Sequence, residues 1–256
     1  IVNWKDNGKE IKECVGSRPQ NIRYYFKEGF SWSDVSSGAI SVRYWKSGCI
    51  FDTCAPTMFP KDKSWYLLGL LNTKIGQYIM DIMSPTIHYT AGSMMKFPVW
   101  IWNNQELVEM IVGQNVVLAK EDWDSFETSW DFQCHPLIRK VSTISEAFNQ
   151  WKAECDERFN QLKANEEELN RIFIDIYGLQ DELKPEVEEK DVTVCKADLS
   201  RDIRSFVSYA VGCMFGRYSL DVDGLAYAGG EWNNSRYKTF IPDEDNCIPI
   251  TDDEYF

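Results

Sequence analysis

Histidine is scarce. His88 and His135 are the only two, which leaves a histidine-based catalytic constellation almost nothing to work with. No Gly-rich phosphate loop of either common spacing occurs. No apolar run approaches the roughly 18 uninterrupted residues that a membrane span needs. The opening Ile-Val-Asn-Trp-Lys has no apolar segment behind a basic start, so nothing marks a secretory signal. Eight cysteines are scattered from Cys14 to Cys247 instead of crowding a small frame, and reduced thiols in a cytoplasmic chain are the expectation. Cys49 and Cys54 lack two further ligands at zinc spacing, so they read as structural thiols and no metal site is expected. Glu188-Glu-Lys190 matches a nuclease carboxylate-x-lysine core in letters only, because it sits in an acidic, Pro-containing stretch with no strand before it.

What is present is a folding chain. In 256 residues, 44% are hydrophobic and 36 are aromatic, too many for disorder and enough for one large or two modest domains. Its first and last residues show no obvious beginning or ending element, and it reads as a piece of something longer. The formal net charge is −13, but it is unevenly placed. Residues 1–100 hold 12 Lys+Arg and 8 Asp+Glu, or +4, while residues 101–256 hold 15 and 32, or −17. A polyanion would be repelled by the second part yet could approach the first, where cations are interleaved with 16 aromatic residues. On charge alone an ordinary solvated surface is the favoured reading of these cations.

Periodicity gives an α+β chain. Short β-prone runs, Ile40–Trp45 and Cys49–Phe51, are punctuated by Gly29, Gly38, Gly48 and Pro56 and read as a small twisted sheet. Leu67, Leu68, Leu71, Ile75, Tyr78, Ile79 and Ile82 recur at helical spacing, predicting one amphipathic helix opened by Ser64 and closed before Pro85. A loop from His88 to Ser93 leads to an extended apolar segment, Met94–Ile101, and a helix over 104–120 follows with Leu107, Ile111, Val112 and Val116 on one side. Ile144 through Ile176 carry the longest periodic signal, a helix over about 143–177. A last helix, about 197–217, is expected to bury Ile203, Phe206, Val207, Ala210, Val211 and Met214. The division expected is a recognition lobe over 1–102, a helical region over 103–180, an acidic linker over 181–197, and a helix and tail over 198–256.

Several segments resemble a known family. Tyr24-Tyr-Phe-Lys-Glu-Gly-Phe-Ser-Trp-Ser-Asp-Val-Ser-Ser-Gly38, then Arg43, Ile50-Phe-Asp52 and Met58-Phe-Pro60, resemble the target-recognition region of the PglX family, the adenine-specific DNA methyltransferases of bacterial BREX phage-exclusion systems. Tyr66–Lys74 followed by Lys96-Phe-Pro98 is similar to the helix-then-proline segment of Type IIG and Type I specificity domains. Leu169–Leu183 and Asp202–Leu220 resemble PglX more specifically. The resemblance implies sequence recognition on double-stranded DNA, S-adenosylmethionine as the cofactor of the parent enzyme, and an N-terminal methyltransferase domain and other phage-defence subunits as partners. No Pro-Pro pair occurs anywhere, so the Asp/Asn-Pro-Pro-aromatic corner that grips a flipped adenine is missing, as is the Gly-rich turn for a methyl donor. The family's catalytic residues map to none here, and no cofactor is expected on this chain.

Phosphate contacts set position and base contacts set sequence. Lys27, Arg43, Lys46, Lys61, Lys63 and Lys96 are the phosphate candidates, and Ser33, Ser36, Ser37, His88 and Thr90 the base-edge candidates. Trp32 and Trp45 read as packed on the sheet. The long helix resembles the spacers of Type I specificity subunits, although a helix buried in its own core fits the pattern as well. An alternative assignment is a protein-interaction module in which the acidic residues 101–256 dock another defence-system subunit.

Overall fold

The computed structural model describes residues 2–61 and 64–242. Lys63 and Cys247 lie outside the described residues. The fold is α+β, a small antiparallel sheet with helices. It forms two compact units, residues 1–112 with 168–185, and residues 113–167 with 186–256.

In the first unit, α1 (Lys5–Glu13) opens on a left-handed turn at Asp6, Asn7 and Gly8. Strands β1 (Gly29–Ser31), β2 (Arg43–Trp45) and β3 (Thr57–Met58) pair antiparallel in the order β2-β1-β3. Phe30 lies between Tyr44 and Met58, and Ser31 between Arg43 and Thr57. Side chains alternate across a strand. Phe30 and Tyr44 therefore share one face, and both rings meet Trp65 at 6.3 and 5.3 Å, which leaves Arg43 on the opposite face. Gly29 is required by crowding, since a Cβ there would stand 2.5 Å from the Met58 carbonyl oxygen. The run Cys49–Phe51 stays outside this ladder. Its backbone instead closes a turn, with Phe26 N–H donating to the Cys49 carbonyl at 2.9 Å.

The single helix expected after Ser64 is two, α2 (Trp65–Leu71) and α3 (Lys74–Met83). Ser64 does cap the first, accepting from Leu67 N–H at 3.3 Å. The break comes from Asn72, whose carboxamide turns aside to bind both backbone groups of Val42 at 2.9 Å. Thr73 then caps α3 by accepting from Gly76 N–H at 3.3 Å. Leu68, Leu70, Leu71, Ile75 and Met80 are buried, each large side chain contributing roughly 1.5–3 kcal/mol. Helix α4 (Ala91–Met94) replaces the end of the expected loop. Two further helices contribute to both units, α5 (Gln105–Asp124) and α6 (Ile144–Tyr177). Within the first unit α5 buries Val108, Ile111 and Val112, and α6 buries Leu169, Ile172, Phe173 and Ile174. Asn170 of α6, itself buried, accepts from Lys74 N–H at 2.9 Å and donates to the Pro185 carbonyl at 3.1 Å.

In the second unit α6 buries Trp151, Cys155, Phe159 and Leu162. Buried side chains therefore recur along the helix in both units. Residues 186–197, expected within an acidic linker, also pack: Val187, Val192 and Val194 join Phe159 and Leu162 in one apolar cluster. Val187 N–H donates to Glu167 at 3.0 Å. Acidic side chains face water while Val187, Val192 and Val194 turn inward, so composition hid a packed segment. Helix α7 (Leu199–Met214), capped by Asp198, buries Tyr209 and Cys213, whereas Val207 and Val211 are exposed at 55% and 37%. The apolar stripe expected on α7 is therefore displaced. Its cause is the stack of Tyr209 on Tyr218 at 4.9 Å, with Phe132 edge-on to both.

His135 is buried in this unit against Phe206 and Tyr209. Its Nδ1 accepts from Leu137 N–H at 3.2 Å, which places the ring proton on Nε2. Burial disfavours the imidazolium and pushes its pKa down to about 4, with nearby Asp202 opposing. The unfolded chain therefore binds a proton at higher pH than the folded one. The stability contribution is full above about pH 6.5 and is lost as pH falls toward 4. Chemical denaturation should show about 2 kcal/mol less stability at pH 5 than at pH 7.5 from this residue. His135→Phe should lose that part of the slope, and an unchanged slope would exclude His135 as its source.

Candidate nucleic-acid interface

Two loops that are distant in sequence form one surface in the first unit. After β1, residues 32–38 run beside residues 86–90. The Trp32 indole N–H donates to the Tyr89 carbonyl at 2.6 Å. Tyr89 N–H donates to the Asp34 carbonyl at 2.6 Å, and Ser36 N–H to the Ile87 carbonyl at 2.9 Å. Val35 and His88 pair as an isolated antiparallel bridge. The Tyr89 hydroxyl donates to the Gly38 carbonyl at 3.2 Å. Trp32 and Tyr89 are both buried, at 4%. They form the floor, and the polar candidates lie above it. Trp45 is half-buried.

The five base-edge candidates are thus brought together, but three already serve the loop. His88 Nδ1 lies 3.0 Å from Asp34 Oδ2, and the imidazole stays about half exposed. Thr90 Oγ1 caps α4, accepting from Ser93 N–H at 3.2 Å. The Ser36 hydroxyl closes on Gly38, accepting from its N–H at 3.2 Å. Ser33 and Ser37 are exposed and make no side-chain hydrogen bond among the described residues. They have the most capacity to bond something new.

The cations fall at both ends of the small sheet. Arg43 is exposed and pairs across from Ser31, next to the start of the joined loops. Lys96, also exposed, follows α4, which Thr90 opens. Lys27 and Lys46 are exposed at the other end, where Gly29 pairs with Trp45 and Gly48 N–H donates to the Phe26 carbonyl at 3.2 Å. Lys61 is exposed beyond β3, which runs toward that same end. Lys63 is outside the described residues. β1 is only three residues long, so about 10 Å of strand separates the two groups.

Charge in this unit differs from that of the first hundred residues. With 168–185 included it holds 14 Lys+Arg and 14 Asp+Glu, for no net charge, and the second unit carries 13 and 26, the full −13. The lobe's positive character is local, not net.

Sequence reasoning passed over Asp34, which orients His88, and Arg23. The Arg23 guanidinium lies 4.8 Å from the Tyr24 ring, and Lys27 Nζ 5.6 Å from the same ring. Adjacent Arg and Tyr in Arg23-Tyr24 were a usable signal. No group of three or more metal-ligating side chains occurs among the described residues, and no helix among them is long and apolar enough to cross a membrane.

No family model matches the chain. Along its whole length, however, the chain is similar to part of the adenine-specific methyltransferases. Identity is 44% to a segment making up 22% of the adenine-specific methyltransferase PglX of Lacticaseibacillus casei (strain Zhang). It is 31% to a segment making up 23% of the adenine-specific methyltransferase BrxX of Escherichia coli O9:H4 (strain HS), again over the whole chain. The chain therefore spans less than a quarter of the length of these relatives, and its particular likeness is to PglX.

The floor of the joined loops is testable. Trp32→Phe removes the indole donor and leaves the buried Tyr89 carbonyl without it, at a cost of about 1–3 kcal/mol. Amide exchange at Ser36 and Tyr89 should quicken about tenfold or more. Unchanged protection would mean that other contacts hold the loops.

Proposed function

We propose that this chain is the DNA target-recognition region of an adenine-specific methyltransferase of the phage-exclusion type, acting on double-stranded DNA. Methyl transfer from S-adenosylmethionine belongs to a part of the protein outside this chain. Partners on this reading are that methyltransferase portion and other phage-defence subunits, in a cytoplasmic setting. The observation that carries it is the joining of residues 32–38 to 86–90 beside Arg43, which supplies exposed hydroxyls and an imidazole on a rigid floor.

The chemistry is division of labour. Ser33 and Ser37 present hydroxyls that both donate and accept, and so suit the mixed edges of base pairs. His88 joins them as a base-edge contact fixed by Asp34, while Ser36 and Thr90 border the edge and hold its backbone. Arg43, Lys46, Lys61, Lys63, Lys96 and Lys27 take phosphates. Cations at the two ends of a ribbon about 10 Å long match a major groove about 12 Å wide. A floor built from buried Trp32 and Tyr89 lowers the entropy lost when the polar groups are fixed on DNA.

A second reading is favoured by the second unit's charge of −13 together with Trp123 and Trp130, exposed at 57% and 82%. There the acidic region docks another defence-system subunit. The two readings concern different units and are compatible.

Duplex binding measured against salt tests the first. Affinity should fall as salt rises, with a slope of about −0.9 per phosphate contact. Arg43→Ala with Lys46→Ala should flatten that slope by about 2 and weaken binding at least tenfold. Binding without salt dependence, or a double variant that matches the parent, would overturn the assignment.

A further inference from the structure

We infer that Arg23 and Lys27, held on the ring of Tyr24, form a seat for one stretch of nucleic-acid phosphodiester, apart from the joined loops and at the opposite end of the sheet. The inference rests on the recognition function proposed above and adds Arg23 and Tyr24 to it.

The seat is built from aromatic rings. Tyr24 ends a single helical turn, Ile22–Tyr24, entered through Asn21 at φ 56°. Its ring stacks on Phe59 at 4.9 Å and 18°. Phe59 packs on Phe51 at 5.4 Å, Phe51 on Tyr25 at 5.3 Å, and Tyr25 on Trp4 at 5.2 Å. The ring of Tyr24 is therefore the end of a fixed row. Arg23 Cζ stands 4.8 Å and Lys27 Nζ 5.6 Å from its centroid. At the other end of the row Lys12 Nζ stands 5.6 Å from Trp4.

Two positive groups sharing one ring are no more than about 10 Å apart, close to the Debye length of about 8 Å at physiological salt. They repel each other. Among the described residues neither has a carboxylate partner, and both side chains are exposed. The cation–π contacts offset part of the repulsion, by roughly 0.5–1 kcal/mol each at exposed sites. An anion placed between them removes the repulsion and meets donors that are already positioned. Paired positive charges suit the repeating phosphates of a duplex. Lys27 at the end of the sheet opposite Ser33 and His88 also places this seat where a backbone passes while the loops face the groove.

The test is salt-titrated duplex binding by the full-length protein in three forms: parent, Arg23→Gln with Lys27→Gln, and a control, Lys140→Gln with Lys152→Gln. Both pairs remove the same formal charge, and the control pair lies on exposed positions of the acidic second unit. The Arg23/Lys27 form should lose about 2 from the salt slope and bind at least tenfold more weakly at 150 mM salt, with an unchanged thermal midpoint. The control should keep the parent slope. Tyr24→Phe should behave as the parent, and Tyr24→Ser should weaken binding while folding normally. A parent slope retained by the Arg23/Lys27 form, or lost equally by the control, overturns the seat and leaves the recognition function standing. A parent protein with no salt-dependent binding removes both.

Discussion

The buried hydrogen bond from the Trp32 indole to the Tyr89 carbonyl is the contact on which the candidate interface depends. Loops are entropically expensive to hold in one shape. Here two of them, more than fifty residues apart, are fixed to each other by backbone bonds above an aromatic floor. Gln77 of α3 extends that floor, accepting from Ile40 N–H at 2.7 Å and lying 3.3 Å from the Tyr89 hydroxyl. The sheet positions Trp32, α3 positions Gln77, and α4 begins at Thr90, so each small element bears directly on the same surface.

Charge acquires its meaning from this arrangement. The first unit carries no net charge, because Glu106 and Glu109, and the four carboxylates that residues 168–185 bring against Arg171 and Lys184, fold with it. A net-charge argument would make it indifferent to DNA. Local placement matters more at short range, where screening leaves interactions within about 8 Å intact. Arg23 and Lys27 over Tyr24, and Arg43 beside the joined loops, are local in that sense. The second unit, with the whole −13, has a surface suited to something other than a polyanion.

Much of the fold was legible because it follows from local rules. Ser64 as a cap, the long helix ending near Gly178, and the small sheet around Gly29 come from capping, period and turn residues. The parts that were not legible depend on contacts between distant residues. Asn72 looks like an ordinary polar position inside a helical period, yet it leaves the helix to bind Val42, thirty residues away. Val187, Val192 and Val194 are buried although acidic neighbours surround them. At the interface, the two candidate loops could be named from composition, but their union could not, since it rests on Trp32 meeting Tyr89. Arg23 adjoins Tyr24 in the sequence, but that its guanidinium stands against the ring is a property of folded geometry. The likeness to PglX and BrxX extends over the whole chain and is independent of these contacts.

Hydrogen exchange of the full-length protein, with and without a duplex carrying its target, addresses the central claim most directly. Protection on binding should concentrate in residues 33–38, 43–46 and 86–96, with the second unit unchanged. Protection confined to the second unit, with those three segments exchanging as in the free protein, would contradict the account.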